Sequence, residues 1–205
     1  MSGEQLVWLA SVLTFAFAMS ATPGPNNAML AASGASFGFR RSIPHMLGIT
    51  LGFPVLILTA ALGAAEFLRR TPWLEQTLHW AATAYMLWLA VKIATAKPAA
   101  DREAASGKPL TFLQAALFQW INPKGWVAAL GAVLAYATAT GPGLLTQAGV
   151  IALVFMLVFI PVAAFWTAVG VGVARFLREP RAVRVFNVVM ALLLVASLVP
   201  TMGLM

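Results

Sequence analysis

No cysteine occurs anywhere in the chain, which excludes disulfides, thiolate metal sites and thiol redox chemistry. Charge is almost as scarce. Only 9% of the residues are Asp, Glu, Lys or Arg, against roughly 25% in a soluble domain, and 61% are hydrophobic. With a mean hydropathy of +0.88, too little polar surface exists to coat a soluble globule. The composition is that of an all-α integral membrane protein. Acids number 6 against 13 Lys and Arg, for a net charge of +7. In a soluble protein that balance would suggest nucleic acid. Here no soluble domain exists to bind one, and the excess is the cytoplasmic cation bias of a polytopic membrane protein.

Carboxylates are also missing from the depth of every apolar stretch. Glu66 and Glu75 stand at stretch ends near Arg69 and Arg70. A site for a dibasic substrate would be expected to hold a carboxylate, so a neutral zwitterion or an anion is favoured. The usual carboxylate proton carrier is absent too, leaving His45 and His79 as the side chains that titrate near neutrality. A lone histidine also fits an interfacial or satisfied position. An intramembrane enzyme needs a nucleophile–base pair or metal ligands at depth. Two distant histidines supply neither, so no catalytic, metal or cofactor site is expected. The N-terminal MSGEQ carries Glu4 and no cation, unlike a signal peptide, and the small-residue run AFAMSA is therefore read as retained.

What the chain does contain is apolar sequence in lengths that cross a bilayer, for which roughly 20 residues suffice. Six stretches qualify, near 5–39, 42–66, 72–93, 111–137, 144–173 and 185–204. The longest polar segment, 97–109, separates three from three. With the N-terminus outside, the inward loops hold Arg40, Arg41, Lys92, Lys97, Arg102, Lys108, Arg175, Arg178, Arg181 and Arg184, and the outward loops hold Arg69 and Arg70. Ten cations against two place both termini outside. If the first stretch does not span fully, five spans would put the N-terminus inside.

The two halves then have opposite orientations, and their interruptions correspond. The first stretch is broken by Thr22-Pro23-Gly24-Pro25-Asn26-Asn27 and its counterpart by Asn122-Pro123-Lys124. The second stretches carry Gly52-Phe53-Pro54-Val55 and Phe159-Ile160-Pro161-Val162 at their centres. Paired, proline-interrupted segments of this kind point to a midplane substrate site in an inverted-repeat transporter. The expected organisation is one membrane domain: a first three-helix repeat at 1–96, a cytoplasmic linker at 97–110 and a second repeat at 111–205.

Broken helices must have their freed backbone groups satisfied by protein, water or ligand. Pro23 and Pro25 cannot donate, Gly24 allows close approach, and Thr22, Asn26 and Asn27 bring polar side chains. The half-helix after Pro25 presents N-terminal amides suited to a carboxylate. Lys124 is costly near a bilayer centre, by at least roughly 2.5–3.5 kcal/mol, and its neighbours Gln119 and Asn122 are polar. As a cation it complements a substrate carboxylate or pairs with the C-terminal end of a half-helix. The structural alternative has it bonding carbonyls freed by Pro123. Gly34/Gly38 and Gly48/Gly52 are GxxxG spacings that let helices approach closely. Trp120 and Trp126 flank the second break, where they either wall a pocket or face lipid.

TPGPNNAMLAASGASFGFRRSIPHMLGITLGF and, after the polar loop, FQWINPKGW resemble the LysE/RhtB family of amino-acid exporters, over essentially the whole chain. The resemblance implies proton-driven export of amino acids or close derivatives across the bacterial inner membrane. It carries over onto Pro23, Gly24, Pro25, Asn26, Gly38, Gly48, Asn122, Pro123 and Lys124. Combined with the missing carboxylates, it points to neutral, threonine- or homoserine-like substrates. The expected partners are that amino acid, protons and the lipid bilayer, and a homo-oligomer is compatible with the sequence. The competing readings are a passive channel and a non-transporting membrane protein of the same fold.

Overall fold

In a computed structural model the protein is described over residues 2–64, 67, 70–95, 108–138, 142–176 and 180–196, and among these residues it is helical with no strand. Glu66, Arg69, Lys97, Arg102 and Arg178 lie outside the described residues, as do the side chains of Glu75, His79 and Arg175.

Both halves start the same way. Helix α1 (Gly3–Ala21) opens on a capping box, in which Gln5 N donates to Ser2 Oγ and Ser2 N donates to Gln5 Oε1. Helix α5 (Phe112–Phe118) opens on the same motif built from Thr111 and Gln114. Such boxes satisfy two of the donors that a helix start leaves free. Both helices then stop where proline dictates. α1 ends at Thr22, and α2 (Pro25–Phe37) begins with Pro25 in its first turn. α5 tightens into a 3₁₀ turn, Gln119–Ile121, before α6 (Pro123–Tyr136) begins at Pro123. Proline suits a first helical position because its missing N–H would lack a partner there anyway. The two breaks expected from the sequence are therefore present as separate half-helices. At 19 and 13 residues, α1 and α2 together measure about 48 Å at 1.5 Å per residue, longer than one hydrocarbon core of about 30 Å.

Gly38, at φ 79°, closes α2 in a backbone region that side chains disfavour. A 3₁₀ turn, Arg40–Ser42, leads into α3 (Ile43–Thr59), which contains Pro54 and runs on into a π turn, Ala60–Ala64. The remaining helices are α4 (Pro72–Ala94), α7 (Pro142–Phe176, with Pro161 inside it) and α8 (Pro180–Ala196). Among the described residues, three helical runs are long and apolar enough to cross a membrane, Gly3–Ala21, Arg40–Gly63 and Gly143–Ala174.

Packing is mostly between the halves. α3 lies against α7 and α4 against α8, while α1 and α2 pack on α7 and α5 packs on α3. Small residues set these approaches. A side chain at Gly34 would collide with the backbone of Thr167, and one at Gly170 with the Ala31 carbonyl. Gly48 and Gly52 face Phe112, Ala115 and Ala116 of α5 in the same way. Both glycines of the second GxxxG are thus used for packing, whereas in the first only Gly34 is. Apolar clusters flank the breaks: Val12, Ala16, Leu56, Ala129, Ile151 and Phe155 on one side, Ala31, Met86, Phe118, Met190 and Leu194 on another.

Candidate functional site

The two breaks meet. Lys124, in the first turn of α6, extends to the end of α1, where its Nζ donates to Thr22 O at 2.7 Å, Thr22 Oγ1 at 2.8 Å and Pro23 O at 3.2 Å. These oxygens cluster at the C-terminal end of a half-helix, where the macrodipole favours a cation. Of the roles open to Lys124 in the sequence, the structure shows the pairing with a half-helix end, and the carbonyls concerned are those at the first break rather than any freed by Pro123. Gly24 makes room for it. A Cβ there would stand 2.8 Å from Lys124 Cδ and 3.0 Å from Nζ.

A second clasp joins the same loops. Asn26 Nδ2 donates to Gln119 Oε1 at 2.9 Å, and Gln119 Nε2 donates back to Asn26 Oδ1 at 3.2 Å and to Ala115 O at 2.9 Å. Gln119 is fully buried, and these bonds use both of its amide hydrogens. Asn27 faces its own break, where Nδ2 donates to Ser20 O at 2.8 Å and Thr22 O at 2.9 Å. Of the residues the sequence brought forward, Lys124 is bonded to Thr22 and Pro23 and Asn26 to Gln119, while Gly24–Asn27, Asn122 and Lys124 line one cavity that Thr22, Pro23, Gln119 and Pro123 do not reach.

Two polar atoms in this group have no partner. Asn27 Oδ1 and Asn122 Oδ1 are buried and accept nothing, on residues only 2% exposed. A buried acceptor left unmade costs about 1–3 kcal/mol. The half-helix starts lack side-chain caps as well. Gly24 has no side chain to cap α2, and Asn122, an ordinary capping residue in an extended conformation, makes no cap bond to α6. Gly24–Asn27, Asn122, Lys124 and Gly125 line one cavity of about 40 Å³ together with Met19, Ser20, Ile49, Phe53, Ala128, Phe155 and Phe159. Two half-helix starts and the two residues with unpartnered amide oxygens thus line a single space. Amides and a dipole end of this kind hold a carboxylate, and amide oxygens accept from an ammonium.

Against known protein families, residues 17–197 match the model described as LysE type translocator. The chain belongs to the LysE type translocator family. Among curated proteins this LysE-type chain is 40% identical over 116 residues to a cysteine/O-acetylserine efflux protein of Salmonella choleraesuis (strain SC-B67). That match covers 57% of the chain and 58% of the relative, under two thirds of its length. Proteins of the same description from Shigella flexneri serotype 5b (strain 8401) and Escherichia coli (strain K12) are each 32% identical, over 92% and 91% of the chain and 94% and 93% of their own lengths. No solved structure matches the chain.

In this LysE-type protein the sequence reading missed the apolar wall of the cavity. Only Phe53 and Phe159 carried a signal, through their places beside Pro54 and Pro161. Trp120 and Trp126, which flank the second break, do not line the cavity. Their rings meet edge to face at 6.1 Å, and Trp126 Nε1 donates to Trp120 O at 2.9 Å, so they brace the loop. His45 is buried at 2% exposure, and its Nδ1 has no partner.

Proposed function

We propose that this LysE-type protein exports neutral amino acids or close derivatives across the bacterial inner membrane, and that substrate binds where the two breaks meet. The observation that carries this reading is one cavity lined by two half-helix starts without side-chain caps and by Asn27 and Asn122, whose amide oxygens have no partner. The substrate carboxylate lies against the amides after Pro25 and Pro123, exchanging with Thr22 and Pro23 for Lys124. The ammonium is accepted by Asn27 and Asn122. Asn26 and Gln119, which satisfy each other, hold the two loops in register. Relatives described as cysteine/O-acetylserine efflux proteins support neutral substrates, a class that also takes in threonine and homoserine.

A cavity of about 40 Å³ is smaller than the roughly 150 Å³ that accommodates benzene in a protein core. Binding therefore requires the walls to part, as alternating access does by rocking one repeat against the other. The capping boxes, paired breaks and paired prolines support an inverted repeat of 1–96 and 111–205 joined by a cytoplasmic linker. The cation distribution supports termini on the outer face. Export is driven by the proton gradient. His45, buried with a free ring nitrogen, is the described side chain suited to carry the proton.

The test is flux in proteoliposomes. An inward-directed proton gradient should drive labelled amino acid uphill, and Lys124→Ala should abolish both this and counterflow. Flux that only runs down the substrate gradient would favour the channel reading, and unchanged transport in Lys124→Ala would refute the carboxylate role.

A further inference from the structure

The lining of the cavity is of two chemical kinds. The break residues make one. The other is built from Met19, Ile49, Phe53, Ala128, Phe155 and Phe159. α3 and α7, the helices with internal prolines, each give this apolar lining a pair of residues one turn apart, Ile49 with Phe53 and Phe155 with Phe159. Residues four apart share a helix face. Phe155 is 1% exposed and fixed between two rings, Phe53 at 5.2 Å and Phe15 at 6.2 Å. None of the six carries a hydrogen-bonding side chain or a charge.

We infer that these six residues form the side-chain half of the substrate site and select short, uncharged side chains by size. The inference rests on the proposed amino-acid site. If the backbone groups of a zwitterion are held by the two breaks, the lining left to its side chain is apolar. There an ionised side chain would lose its hydration with nothing to replace it. A long or aromatic one would have to displace Phe155, which is held by packing on both sides. A wall of this kind discriminates by methylene count, at roughly 10–200-fold per methylene in a well-packed pocket. The missing membrane carboxylates then explain only the exclusion of cations, whereas the aromatic wall sets the upper size.

The experiment is counterflow of labelled cysteine, kept reduced, competed by unlabelled glycine, alanine, serine, leucine, phenylalanine, lysine and glutamate. Wild-type protein should be competed by alanine and serine, and at least about tenfold less well by leucine, phenylalanine, lysine and glutamate. Phe155→Ala and Ile49→Ala, each verified as a monodisperse membrane protein, should raise competition by leucine about tenfold or more relative to alanine. Lysine and glutamate should remain excluded in both. Equal competition by leucine and alanine in wild type overturns the inference without any variant. So does an unchanged ranking in a well-folded variant. If no amino acid supports counterflow, the exporter reading falls, and this inference with it.

Discussion

Replacing Gly24 with alanine is a small change with a calculable effect. The backbone at Gly24 is extended, with φ −175° and ψ −176°, so a methyl group there introduces no conformational strain. Its only collision is with Lys124, at 2.8 Å to Cδ and 3.0 Å to Nζ, where ordinary carbon contacts are about 3.5–4.0 Å. The lysine stem must therefore move by about 0.7 Å or more. A move of that size should cost at least one of the three bonds to Thr22 and Pro23. A hydrogen bond to a charged group contributes about 1.5–3 kcal/mol, so Gly24→Ala should destabilise by that amount and lower the melting temperature by about 3–12 °C for a chain of this size. Thermal unfolding followed by elution profile measures this, and initial counterflow rates should fall with it. Because the collision is with Lys124 alone, the effect should largely vanish when Gly24→Ala is made in a Lys124→Ala background, with a coupling of about 1.5–3 kcal/mol. Equal destabilisation in both backgrounds would refute the placement of Lys124 against the first break.

Gln119→Ala should leave both polar ends of the half-buried Asn26 amide without their partner, costing up to about 1–3 kcal/mol. Its melting temperature should fall further than that of the paired Asn26→Leu/Gln119→Leu variant, in which no polar group is orphaned. Gly170→Val should abolish folded protein in membrane extracts, since a side chain there meets the Ala31 carbonyl where neither backbone can yield. His45→Gln should retain counterflow while losing accumulation driven by a pH gradient; retained accumulation would remove His45 as the proton carrier.

The breaks were legible because proline and glycine leave a local mark that no apolar context disguises. Thr22-Pro23-Gly24-Pro25 and Asn122-Pro123 each end a helix where they stand in sequence. Lys124 was legible as an anomaly, a cation too deep to be a lipid-facing residue. Its partner was not, because Thr22 is 102 residues away and the choice between a carboxylate and a half-helix end depends on how the halves dock. The clasp of Asn26 with Gln119 was hidden for the same reason: an amide looks alike whether it awaits a ligand or is already paired. The apolar wall was hidden by composition. In a chain that is 61% hydrophobic, Ile49 and Phe155 read the same facing lipid, core or substrate. Trp120 and Trp126 erred the other way, being conspicuous beside the break yet turned away from the cavity.

The most direct test of the binding site is counterflow of labelled substrate competed by one amino acid in three forms: free, as its methyl ester and as its N-acetyl derivative. The ester removes the negative charge that the half-helix ends and Lys124 receive, and the acetyl group removes the ammonium offered to Asn27 and Asn122. A site built from the two breaks should be competed by the free amino acid and by neither derivative. Competition by the ester equal to that of the free amino acid would contradict it.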